Sequence, residues 1–339
     1  MILVTGGTGM LGAHLLFQLV NSGESIRATY RSEPSFQKVK KVFGYYTDDA
    51  EALFSKIDWV QADVTDMPSL EGAFKGITKV YHCAALVSFD EADAKQMRVV
   101  NIHGTANIVN LCVAHGIEKL CFVSSIASIA KSVQKPFIDE EDEFNLISNN
   151  YSYAITKYGA EMEVWRGAQE GLDVVIVNPG VILGPGFWNE NSGMLFTMAY
   201  QEFPFYTEGI TGFVGVNDVV AVLIKGMNSK IKNERFVLVS ENLSFKALLF
   251  SVADAFDKKR PKFKVTRFIA AAGWRLSWLK SKVTGATNTF SRHTANSANN
   301  KSYYSNKKVK EFFDFDFQQM NGVVARISQQ FLNDKKTGL

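Results

Sequence analysis

Residues 2–12 read ILVTGGTGMLG. Four apolar or β-branched residues, Ile2–Thr5, run straight into a turn with glycines at 6, 9 and 12. A strand entering a G-x-x-G-x-x-G turn and leaving as an amphipathic helix is the opening unit of a dinucleotide-binding fold. The first glycine permits the tight turn, the second lets backbone approach a pyrophosphate, and the third allows close helix–strand packing. The helix N-terminus then offers free N–H groups and the positive end of its dipole to phosphate. The competing reading is a glycine-rich strand–helix turn without a ligand.

Outward from this turn, short β-rich runs alternate with longer helical patterns as far as residue 178. The strand candidates are ILVT, IRATY, DWVQAD, KVYHCA, KLCFVSS and DVVIVN. They carry few alternating polar residues, which suits parallel strands buried on both faces. Helical patterns cover Met10–Ser22, Ala92–His115 and Tyr151–Glu170. The alternation predicts an α/β fold, a Rossmann-type doubly wound parallel sheet with right-handed crossovers. After Pro179 the pattern loosens into a stretch rich in Gly and Phe (184–215), a helix at Asn217–Ser229 and the strand RFVLVS. The expected division is a dinucleotide-binding part, 1–180, with 214–240 packing back onto it. A smaller, mostly helical substrate-binding part covers 181–213 and 241–339.

The chain has 339 residues, 46% of them hydrophobic and 21% charged, within the range of a soluble globular protein. A net charge of +3 gives no reason to expect a nucleic acid or other polyanion. Cys83, Cys112 and Cys121 are odd in number and lack metal-ligand spacing, so they read as buried thiols of a reducing cytoplasm, and no metal is expected. The opening MILVTGG lacks a basic n-region, so no signal peptide is expected, and no run reaches the ~18 apolar residues of a membrane span.

The second strand bears on which dinucleotide fits. An acid about 20 residues past the turn, at the end of this strand, normally takes the ribose hydroxyls of NAD. Here the strand ends in Tyr30 and Arg31, with no acid before Glu33. Arg31 can pair with a 2′-phosphate and stack on adenine, and Lys38 can add a second charge. The reading therefore prefers NADP(H), with NAD(H) as the alternative; both cations would otherwise be solvated surface charges. In QADVTD, Asp63 can accept from the adenine amino group or cap the next helix.

Several motifs arrive in one order: TGGTGMLG, ADVTD, HCAA at 82–85, VVNIHGTANIV at 99–109, FVSS at 122–125, YAITK at 153–157 and NPGVILGPG at 178–186. Together they resemble the extended short-chain dehydrogenases/reductases, specifically over about residues 1–225. YRSEPSFQK and NPGVILGP look most like the dihydroflavonol-reductase and 3β-hydroxysteroid-dehydrogenase branch, with nucleotide-sugar epimerases and dehydratases next.

The resemblance implies a Ser-Tyr-Lys site. Tyr153 would be the general acid/base, with Lys157 one helical turn away lowering its pKa from about 10 and binding the nicotinamide ribose. Ser125 would hold the substrate oxygen, with Ser124 in reserve. Tyr151, four residues before Ile155, reads as a pocket or packing residue. The resemblance also implies Thr5, Met10, Leu11 and Val64 at the cofactor, Ala84 and Ala85 leaving room for its ribose, and Pro179, Gly180 and Val181 offering backbone to the carboxamide. Asn101 reads as a helix-distorting side chain, His82 as a packed strand end and Asp218 as a helix anchor.

The implied activity is reduction of a ketone or aldehyde, or the reverse, on a small apolar substrate. A sugar-type epimerase and a catalytically silent cofactor sensor are the alternatives. Ile126 and Ala127 stand where sugar-nucleotide dehydratases carry acids, which argues against a nucleotide sugar. Phe187, Trp188, Phe196, Phe203 and Phe205 are candidates for an apolar pocket, or for core. From Lys258 to Lys310 the chain has no acid. An apolar segment there, carrying Trp274 and Trp278 between basic flanks, reads as a pocket lid or as a peripheral contact with an anionic membrane. A homodimer is left open.

Overall fold

The computed structural model describes residues 1–129, 135–145, 151–266 and 300–338. The tryptophan-bearing centre of the basic 258–310 stretch, and with it the membrane reading, lies outside the described residues. Among the described residues, no helix is long and apolar enough to cross a membrane.

The first half alternates as the sequence predicts: β1 (Ile2–Thr5), α1 (Met10–Asn21), β2 (Ile26–Tyr30), α2 (Phe36–Gly44), α3 (Ala50–Ser55), β3 (Asp58–Gln61), α4 (Met67–Ala73), β4 (Lys79–His82), α5 (Ala94–Met97), α6 (Gly104–Ala114), β5 (Lys119–Val123), α7 (Ser152–Gln169) and β6 (Val174–Pro179). Then come β7 (Val181–Leu183), α8 (Gly193–Tyr200), β8 (Phe205–Tyr206), β9 (Ile210–Gly215), α9 (Val216–Asn228), β10 (Glu234–Leu238), β11 (Glu241–Ser244), α10 (Phe245–Ala255), β12 (Phe263–Lys264), α11 (Lys307–Phe313) and α12 (Met320–Lys336).

Seven strands form one sheet in the order β10-β6-β5-β4-β1-β2-β3, all neighbours parallel. Successive residues of each strand enter opposite cores. Ile2 and Val4 join α1, α2 and α9 on one face, and Leu3 joins α4, α6 and α7 on the other. Both faces are dry, so the strands read as continuous apolar runs rather than alternating ones. The fold is Rossmann-type, with a helical C-terminal part. There Phe196, Leu248 and Phe331 anchor a separate core beside the small sheet β11-β9-β7.

The chain leaves β1 toward β2 on one side and returns to place β4 on the other. Connections diverge here, opening a crevice at the carboxyl ends of β1 and β4. The helix expected over Ala92–His115 runs without a break from Ala94 to Ala114, but α5 passes into a π-helical turn, Arg98–His103, before α6. Asn101 lies within it, and its carbonyl receives the Thr105 hydroxyl at 2.6 Å. Side-chain bonds of this kind and π turns both disturb an α-helical ladder.

At Gly12 an added Cβ would run into the Gly6 carbonyl oxygen, closer than real Cβ contacts come. Gly12→Ala should therefore cost about 1–3 kcal/mol of stability by overpacking the turn. Urea unfolding reads this, and an unchanged midpoint would show that the turn relaxes freely.

Candidate active site

Gly6 sits at φ +71°, and a Cβ there would lie 2.6–2.7 Å from backbone atoms of Cys83 and Ala84. The turn is thus pressed against the end of β4. Gly9 differs: its φ is −85°, it is exposed, and a Cβ would meet only the Gly6 oxygen, at 3.4 Å. Neither backbone conformation nor protein packing demands glycine at 9. The first-turn N–H groups of Met10 and Leu11 have no helical partners. Thr5 is a correction: its hydroxyl is buried on His82 Nδ1 at 2.6 Å and its carbonyl accepts from Cys83 N–H. It braces the crevice and does not line it.

At the end of β2, Arg31 is exposed and its guanidinium makes no ion pair with the described residues. Lys38 does not wait beside it. It pairs at the surface with Glu190 and lies over the Phe187 ring, bridging α2 and the 187–190 segment. Asp63 Oδ1 accepts from the Thr65 N–H (2.8 Å) and hydroxyl (2.7 Å). Burial works to raise its pKa, but these bonds and Arg31 outweigh it and hold it low. Val64 is buried, its side chain against Gly104 and its carbonyl bonded to Asn107.

Behind Ala84 and Ala85, Asn101 accepts from Leu86 N–H and donates to Leu86 O and to the Thr156 hydroxyl. His82, fully buried, contacts Thr5 and Thr105 with its two ring nitrogens. Burial drops its pKa to about 3, so it stays neutral and is no base.

At the end of β5 the two serines part. Ser124 is buried and donates to Glu161 at 2.7 Å. Ser125 is half-buried, its Oγ accepting from Ala127 N–H. Helix α7 brings Tyr153 to Ser125. Burial pushes the Tyr153 phenol up to about 12, while its hydrogen bond with the Ser125 side chain works the other way. Lys157 is not among the groups that set this value; the lowering expected from Lys157 together with the nicotinamide ring belongs to the loaded site. The Lys157 ammonium donates to Val123 O at 2.7 Å and sits over Phe122, and desolvation governs the phenol. Burial likewise lowers Lys157 to about 8, against the pull of Glu161.

Glu161, unremarked in the sequence reading, is fully buried and salt-bridged to Arg235 at 3.0 Å. The repeat Tyr153, Lys157, Glu161 places all three on one helix face and was the signal available. The Gly180 N–H is taken by Leu238 O and Pro179 has none, so those two residues have only carbonyls to offer a carboxamide. Phe187, Trp188 and Phe196 are core. The aromatic surface near the site is instead Phe89, 49% exposed, grouped with Tyr151 and Tyr153 at centroid distances of 5.9–6.4 Å.

This residue set fits a dinucleotide: an exposed glycine that the protein itself does not require, free helix N–H groups, an unpaired arginine and a buried lysine at the crevice. The model of the NAD dependent epimerase/dehydratase family matches residues 2–237. A Synechocystis sp. protein with the provisional name dihydroflavonol 4-reductase is 28% identical over 288 residues, 83% of this chain and 78% of its own. Sterol demethylase protein B of Methylococcus capsulatus is 28% identical over 268 residues, 78% and 76% of the two chains. The crystal structure of gox2253 shares the fold, with TM-score 0.79 over 98% of each chain at 24% identity.

Gly9→Ala separates ligand from packing. Thermal stability should stay at the wild-type value, while NADP(H) affinity falls about tenfold or more, because the methyl occupies the pyrophosphate approach. Calorimetric titration reads the affinity; unchanged binding would remove Gly9 from the cofactor site.

Proposed function

The chain belongs to the NAD dependent epimerase/dehydratase family and is an NAD(P)-dependent oxidoreductase of the extended short-chain dehydrogenase/reductase type, and from that premise we propose that it reduces a ketone or aldehyde, or oxidises the matching alcohol, with Ser125, Tyr153 and Lys157. The supporting observation is the convergence of the half-buried Ser125, just past β5, with Tyr153 and Lys157 of α7, whose buried ammonium donates to the Val123 carbonyl two residues before Ser125.

The glycine turn, Met10 and Leu11 would hold the pyrophosphate, Arg31 the adenosine end, Asp63 the adenine, and Ala84, Ala85 and Lys157 the nicotinamide ribose. When bound, the nicotinamide supplies or accepts the hydride. Ser125 Oγ donates to the substrate oxygen and fixes its position. Tyr153, kept protonated at neutral pH by burial, gives its phenolic proton to that oxygen during reduction. Lys157 has one N–H on Val123 O and two further donors to turn toward the ribose and the phenol. Its charge there favours the tyrosinate left behind.

Phe89 and Tyr151 make the approach to Tyr153 apolar, which suits a hydrophobic carbonyl substrate. Residues 181–213 and 241–339 are assigned to substrate binding, and the enzyme to the cytoplasm. NADP(H) is preferred, because β2 ends without an acid and Arg31 is free to meet a 2′-phosphate. Cofactor stoichiometry separates the alternatives. Net NADPH consumption supports a reductase, turnover without net consumption an epimerase, and binding without turnover a sensor.

In a screen of aldehydes and ketones with NADPH, Tyr153→Phe should lower the rate roughly 10²–10⁴-fold with cofactor affinity nearly intact. Tyr151→Phe should stay within a few-fold. A Tyr153→Phe enzyme as active as wild type would overturn the assignment.

Arg31→Ala should lose about tenfold or more of the preference for NADPH over NADH, the equivalent of a charge-assisted contact of roughly 1.5–3 kcal/mol. Equal affinity of the wild-type protein for both cofactors would contradict the role of Arg31.

A further inference from the structure

The Glu161 carboxylate gathers four donors in a place without water access. Oε2 stands 2.7 Å from Ser124 Oγ, 2.8 Å from Ser128 Oγ and 2.9 Å from Asn178 Nδ2. Oε1 takes Arg235 Nη1 at 3.0 Å. Packing alone does not call for this: apolar groups often replace buried ion pairs with little loss of stability. The donors have a common address. Ser124 and Ser128 bracket Ser125 in sequence. Ser128 Oγ and Asn178 Nδ2 also reach the Ser125 carbonyl, at 2.7 and 3.2 Å. Ser128 has one proton to give, to either acceptor, so the carbonyl and the carboxylate share the same small cluster. On its other side Arg235 donates to the carbonyls of Glu140 and Asp142, and Glu140 Oε1 accepts from Val237 N–H.

Glu161 also lies one helical turn beyond Lys157 on the same face. The other titratable groups around Lys157 carry no charge at neutral pH. His82 and Cys83, at the end of β4, are held neutral by burial, with pKa values of about 3 and about 12. Tyr153 is a phenol.

We propose that Glu161 is a positioning residue of the site: its carboxylate fixes the backbone that presents the Ser125 hydroxyl, and its charge keeps Lys157 an ammonium. This rests on the Ser125–Tyr153–Lys157 reading above. The ammonium matters because only the charged form donates to Val123 O and to ribose hydroxyls at full strength. Lys157 is already lowered to about 8 by burial, with Glu161 first among the groups resisting. The sign follows. Binding that needs the ammonium is complete below this pKa and is lost as pH rises through it. Without the Glu161 charge the loss comes earlier.

The test is NADPH affinity by calorimetric titration from neutral to alkaline pH, with substrate turnover and circular dichroism recorded beside it. Wild type should weaken as pH passes about 8. Glu161→Gln should weaken at lower pH, by up to about one unit because the paired Arg235 cation offsets part of the Glu161 charge, and should turn over more slowly while folded. Glu161→Asp keeps the charge and withdraws it by one methylene, so the alkaline limb should stay in place while turnover falls. A limb that does not move in Glu161→Gln overturns the proposal. If Gln strands the Arg235 cation and prevents folding, E161Q/R235Q removes both charges; the limb should then move down by less, because Arg235 offsets part of the Glu161 charge, and an unmoved limb overturns the proposal. Lys157→Met distinguishes the two levels. If wild type matches its flat profile, the underlying site reading fails; if wild type has a limb that Lys157→Met lacks and Glu161→Gln leaves unmoved, only the role of Glu161 fails.

Discussion

The contact of Gly6 with the Cys83–Ala84 backbone is the constraint from which the rest follows. Strand order reverses between β1 and β4, so their chains leave the sheet edge in opposite directions. The two carboxyl ends can lie this close only if the residue leaving β1 has no side chain and can adopt φ +71°. Gly12 then brings α1 down onto the Gly6 carbonyl. The helix N-terminus consequently points into the crevice instead of over it. A larger residue at either place would separate the helix dipole from the strand ends, and the crevice would lose the helix N-terminus that lines it.

The same region is braced from behind by a polar chain. Thr5 bonds His82, His82 bonds Thr105, Thr105 bonds the Asn101 carbonyl, and the Asn101 side chain reaches Leu86 and Thr156. It joins β1, β4, the π turn and α7, so the helix bearing Tyr153 and Lys157 is registered against the strand bearing the glycine turn. Buried polar groups are tolerable when every member is paired, and such a network then specifies one arrangement. The π turn belongs to this scheme: Asn101 faces the 84–86 segment and α7 where the helical ladder is locally widened.

The sequence made legible whatever depends on backbone geometry and period. The glycine spacing, the apolar runs of a sheet buried on both faces, and the Tyr153–Lys157 interval all follow from local rules. Features that depend on where a long side chain reaches were not legible. Lys38 has the spacing of a phosphate ligand, yet it reaches Glu190, 152 residues away. Gly180 looks free in NPGV but gives its N–H to Leu238 on a strand it cannot anticipate. The rise of the Tyr153 pKa reflects desolvation, a property of three-dimensional surroundings. Glu161 stands in YAITKYGAE in plain sight, but its meaning comes from Asn178 on the next strand and from Arg235, 74 residues on. Aromatic residues stayed open between core and pocket for the related reason that composition does not separate the two: Trp188 is buried while Phe89 is exposed.

Helix α2 shows how the cofactor side and the C-terminal part become one body. Its first turns follow Arg31, and its last turns present Lys41 and Tyr45 to Asp334 of α12. Asp334 Oδ2 accepts from the Tyr45 hydroxyl at 2.6 Å, from the Trp188 indole at 2.6 Å and from the Lys41 ammonium at 2.8 Å. The Tyr45 phenol is raised well above the tyrosine range, by burial first and then by its bond to Asp334, so it donates at any ordinary pH. One carboxylate thus satisfies three donors from two segments that the sequence separates by about 140 residues. Its loss would leave an ammonium, a phenol and an indole N–H together without an acceptor. Lys38 of the same helix pairs with Glu190, but that pair is exposed, where ion pairs contribute about 0–1 kcal/mol. The junction is therefore held by Asp334, while Lys38 follows the position of the 187–190 segment without fixing it.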